Sequence, residues 1–110
     1  MNNMKELQKL TKNIHHWYVM KMPTDVKGMA RMVLDVERHM NEVIDIYKRL
    51  NSESQLTPEI ETILNECSEM SLAVMTAVSK KVTTKEIIVD YIKAYDALKE
   101  SDTQRQKSVV

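Results

Sequence analysis

Between Thr24 and Leu50 apolar side chains recur at Val26, Met29, Val33, Val36, Met40, Val43, Tyr47 and Leu50, in alternating steps of three and four residues. That spacing keeps one seam on one side of a helix for nearly four heptads and leaves the remaining positions mostly charged. A helix of this length runs about 40 Å at roughly 1.5 Å per residue, so other helices must lie along it to cover the seam. The chain has one Gly and two Pro in 110 residues, too few turn residues for a chain that reverses at every strand. The expectation is an all-α protein: an antiparallel up-down-up-down four-helix bundle with coiled-coil-like packing.

The other helices follow from the same periodicity. Leu7, Leu10, Ile14 and Trp17 form a stripe over residues 3–20, with Lys5, Lys9, Lys12 and His16 on another face. Pro23 biases Met22 away from helix, and Thr24 is the expected N-cap of a helix over 24–50. Thr57-Pro58-Glu59 supplies a capping hydroxyl, a proline at the first helical position and an early acid, opening a helix over 58–80. Its seam is Ile60, Ile63, Cys67, Met70 and Val74, and Leu72, Met75 and Val78 widen the apolar face. Thr83 through Glu86 fits a capping box for a last helix over 84–100, with Ile88, Tyr91, Tyr95 and Leu98 on its seam. The pattern fades after Glu100, so residues 1–100 read as a single domain and 101–110 as a flexible tail.

Totals narrow the function classes. Sixteen Lys and Arg balance sixteen Asp and Glu, and the lone Cys67 has no partner for an intramolecular disulfide. The N-terminus has no apolar secretory core, and the longest uncharged run, Met70 to Ser79, is about half of what spans a bilayer. The reading is a cytoplasmic protein without a transmembrane segment. Residues 1–22 carry four Lys against Glu6, and residues 51–82 carry five Glu against two Lys, so the first helix complements the third. Opposed charges on packed helices select partners more than they stabilise them.

Candidate chemistry is sparse. Di-iron bundles use Glu-x-x-His pairs on two helices, and no Glu precedes a His by three here. Asp35, His39 and Glu42 share a helix face and are the only weak metal candidates; the expectation is no metal and no cofactor. Cys67 on an apolar seam behaves as a small hydrophobe, and no catalytic residue is assigned. Glu42 with Asp45 and Glu66 with Glu69 resemble, in reversed order, the Glu-x-x-Glu and Glu-x-x-Asp pairs of all-α nucleotide pyrophosphohydrolases of the MazG type. That resemblance implies a magnesium-dependent enzyme as one alternative. A nucleic-acid-binding regulator using the basic face of the first helix is another.

The favoured expectation is a small non-enzymatic helical module that binds another protein, in the manner of an adaptor, chaperone, immunity or regulatory protein. Its expected partner-binding residues are Lys5, Lys9, Lys12, His16, Trp17, Leu72 and Met75. A homodimer formed through the long seam of the second helix and the apolar end of the third is a further possibility.

Overall fold

A computed structural model describes residues 3–108. It contains four helices: α1 (Asn3–Val19), α2 (Val26–Ser52), α3 (Pro58–Lys81) and α4 (Lys85–Ser108). They pack as an all-α four-helix bundle, and no strand occurs among the described residues. Among those residues no helix is long and apolar enough to cross a membrane.

Helices α2 and α3 form an antiparallel spine with two apolar clusters along it. In the upper cluster Leu7, Leu10 and Ile14 of α1 meet Val43, Ile46 and Leu50 of α2 and Ile60, Leu64 and Cys67 of α3. In the lower cluster Met29, Met32, Val33 and Val36 meet Val74 and Val78, with Trp17, Met75, Val82, Tyr91 and Tyr95 packed around them. Leu7 and Ile14 are fully covered; each such side chain contributes about 1.5–3 kcal/mol relative to leaving it in water. Helix α1 lies against α2 and α3, whereas among the described residues α4 approaches closely only α2. The molecule is a slab of 47 × 35 × 20 Å, thin in one direction because α4 extends the layer sideways.

Local chemistry sets the ends of the helices, with some changes from the sequence pattern. Thr57 caps α3 as expected, its hydroxyl accepting from the amide of Ile60 at 3.2 Å, with Pro58 following. Asp25 rather than Thr24 stands at the N-cap of α2, without a side-chain capping bond. Thr84, not Thr83, caps α4 by accepting from the Ile87 amide at 3.2 Å. Val82 ends α3 through its amide bond to Val78 and is drawn against the lower cluster, so Thr84 is the last residue before α4 turns. In the reversal between α2 and α3, Ser54 takes a left-handed φ of 55° and the Gln55 amide returns to the Leu50 carbonyl at 2.8 Å.

The single glycine has a steric reason. A Cβ at Gly28 would sit 2.7 Å from Cβ of Pro23 and 2.6 Å from Oδ1 of Asp25. The link between α1 and α2 folds back onto the first turn of α2 so closely that only a hydrogen fits there.

Three expectations about the core and the tail are corrected. Tyr47 is 44% exposed and Ile46 occupies the seam in its place, because only the Ile46 side of α2 is covered at that end. Ile88 is 41% exposed, and Ile87, Tyr91, Ala94, Tyr95 and Leu98 form the half-buried face of α4. Residues 101–108 continue α4 instead of forming a loose tail, and residues 109–110 lie outside the described residues. The Arg31 guanidinium binds both carboxylate oxygens of Asp102, at 2.9 and 3.3 Å, and so holds a turn of helix that has no apolar period.

Candidate interaction furrow between α1 and α3

One edge of α1 runs beside α3, and the two helices border a shallow furrow in two stretches that a third continues along α3. The first, about 890 Å³, lies between Lys5, Lys9 and Lys12 on one side and Ile63 and Glu66 on the other. The second, about 500 Å³, continues past His15, His16 and Val19 to Glu69 and Met70, sharing Thr11, Lys12 and Glu66 with the first. The third, about 670 Å³, shares Glu69 and reaches Met22, Leu72, Ala73 and Lys80. The shared residues make these one surface, basic along α1 and acidic along the middle of α3.

Two apolar side chains on this surface stand in water: Val19 at 62% and Leu72 at 61% exposure. Beneath it, Thr11 donates to the Leu7 carbonyl at 2.7 Å and lies 3.2 Å from the Cys67 sulfur. Burial pushes the Cys67 thiol up, only partly offset by Thr11, so the sulfur stays protonated beneath Thr11 and out of the furrow. Ser71 is buried beside it and donates to the Cys67 carbonyl at 2.7 Å.

Of the residues expected to bind a partner, Lys5, Lys9, Lys12, His16 and Leu72 line this furrow. Trp17 and Met75 do not. Both are half-buried against the lower cluster, because the end of α1 turns its indole under the chain toward α2 and α3. Val19 was missed, since as the last residue of α1 it falls outside the apolar stripe. Lys9 and Lys12 share the furrow with Glu66 but make no salt bridge to it or to Glu69 among the described residues. The cross-helix pair at this level is instead Arg49 to Glu6, at 3.4 Å between α2 and α1.

The other candidates are dispersed. Among the described residues no three His, Cys, Asp or Glu side chains are grouped to hold a metal ion. Asp35 is taken up by Arg31 at 3.4 Å and Arg38 at 3.5 Å. His39 and Glu42 instead line a groove between α1 and α2 that meets the first stretch of the furrow at Glu6 and Lys9. Nδ1 of His39 lies 4.0 Å from Glu42, too far for a hydrogen bond, and is buried without a partner. Burial, with Arg38 adding to it, holds the His39 imidazole below its ordinary range. Glu42 thus lies on the α2 side of α1, whereas Glu66 and Glu69 lie on its α3 side. The long seam of α2 is equally unavailable to a second copy: Val33, Val36, Val43 and Leu50 are buried within the chain.

Comparison with protein-family models, curated proteins and solved structures returns no match for this chain.

Proposed function

We propose that this chain is a small, non-enzymatic, cytoplasmic protein-binding module whose α1–α3 furrow receives an amphipathic helix of a partner protein. The observation that carries the reading is the pairing of exposed Val19 and Leu72 with a basic rim on one side and an acidic rim on the other. A partner helix offers an apolar stripe flanked by charges of either sign, which matches such a surface. A nucleic-acid backbone presents one sign only and would meet Glu66 and Glu69 beside the lysines. Burying a side chain of the size of Leu72 or Val19 contributes about 1.5–3 kcal/mol, roughly tenfold or more in affinity for each.

The test is selection of helical peptides from a displayed library against the intact chain, followed by titration against a Val19→Glu/Leu72→Glu variant. Both positions are exposed, so the variant keeps its far-UV circular dichroism. Selected binders carry an apolar stripe with mixed-charge flanks and weaken at least about a hundredfold against the variant. Binders that titrate equally well against both proteins place the interaction elsewhere and overturn the reading.

A further inference from the structure

The opposite side of the molecule carries a second apolar surface, independent of the furrow. Helix α4 lies against α2 alone among the described residues, so its outward face is uncovered. Ile88 is 41% exposed, Val89 41% and Ile92 52%, on adjoining turns of that face. Contiguous apolar patches of this kind on a charged helix mark interaction sites.

We propose that the occupant of this face is a second copy of the chain, its α4 packed antiparallel to the first about a two-fold axis level with Asp90 and Tyr91. The charges around the patch argue for self-pairing. Lys85, Val89, Ile92 and Asp96 follow one another along a single stripe, with Ile88 beside it. A two-fold axis brings residue i of one copy to residue j of the other and j to i. Centred between Asp90 and Tyr91, it sets Val89 against Ile92 and Lys85 against Asp96, twice each. Both charged residues are exposed and neither forms an ion pair among the described residues. Helix α4 contributes a few turns to the contact, so the buried area falls at the small end for specific interfaces and the dimer is concentration-dependent, in the micromolar range.

Sedimentation equilibrium of the full chain from about 1 to 200 µM tests this. The expected weight-average mass climbs from 12.8 kDa toward twice that value. A Val89→Glu/Ile92→Glu variant stays monomeric with unchanged helicity and Tm, since both side chains already face water. Lys85→Glu and Asp96→Lys each weaken the dimer about tenfold by facing like charges, and the two together in one chain restore it. A parent chain that stays monomeric throughout overturns the proposal, as does a Val89→Glu/Ile92→Glu variant that dimerises normally. Failure of the combined charge variant to recover overturns the antiparallel register. Loss of binding to a different protein in Ile92→Glu, with a monomeric parent, assigns the face to that protein instead of a second copy. None of these outcomes bears on the furrow between α1 and α3, whose peptide binding is read separately.

Discussion

Replacing Gly28 by Ala ordinarily favours a helix, and here the structure reverses the sign. The gain from helix propensity is at most about 1 kcal/mol and is smaller in a first turn. Against it stands the Pro23 ring, whose Cβ lies 2.7 Å from where the alanine Cβ must go. The Asp25 carboxylate, at 2.6 Å, makes no capping bond and can rotate away, but a pyrrolidine ring cannot. Relief of the overlap requires either the link from Met20 to Asp25 to lift off α2 or the first turn of α2 to unwind, and such overpacking costs about 1–3 kcal/mol. The net expectation is a loss of about 1 kcal/mol, seen as a Tm lower by about 4 °C or more in a chain of this length. Urea denaturation followed at 222 nm gives the free energy, and the same measurement on Pro23→Gly and on the double variant isolates the clash. Removing the proline ring should recover about 1 kcal/mol of the alanine penalty as coupling between the sites. A Gly28→Ala protein as stable as the parent, or more stable, refutes the steric explanation for the only glycine in the chain.

Two further expectations concern pH. Burial and the 2.9 Å hydrogen bond donated to Glu37 push the Tyr95 hydroxyl up to about 12. The folded state thus favours the neutral phenol; its contribution is complete below the ordinary value of about 10 and is lost as pH rises through the folded value. Tyr95→Phe should flatten the difference between pH 9 and pH 12 in urea denaturation, and an unchanged alkaline slope would contradict the assignment. His39 works in the other direction: it is held neutral, so its contribution is present above the ordinary histidine value and declines as pH falls through the lower folded value. A two-dimensional NMR titration should find His39 protonating below the ordinary histidine value, and a midpoint at or above that value would count against its burial.

The seam between Thr24 and Leu50 was readable because most of its residues are covered from more than one side. Val33, Val36, Val43 and Leu50 are buried as the heptads require. A strict 3.5-residue repeat drifts by about 20° per heptad on a straight helix, and by the fourth heptad the pattern pointed to Tyr47 where the helix inserts Ile46. Helix α4 was read less well for a physical reason: with one neighbour it buries one face only partway, and apolar residues on both sides of it satisfy the same period. Residues 101–108 carried no apolar signal because Arg31 and Asp102, a charge pair separated by most of the chain, hold that turn. In the furrow, the lysines and Leu72 could be found from spacing. That Trp17 and Met75 face inward could not, since the choice depends on where the end of α1 sits over the lower cluster.

The attachment of α4 to a single neighbour also divides the molecule energetically. Helices α1, α2 and α3 share the upper cluster, so none of them leaves without exposing Leu7, Ile14 and Cys67 together. Helix α4 can depart by uncovering Tyr91, Tyr95 and their methionine-rich seat and by breaking the Arg31–Asp102 pair, while the three-helix remainder keeps its own core. Cooperative units of this kind open at different free energies, the least anchored first. Amide hydrogens of α4 therefore exchange through a partial opening well below the global unfolding free energy, and the fold has a rung between native and unfolded that a single transition temperature does not reveal.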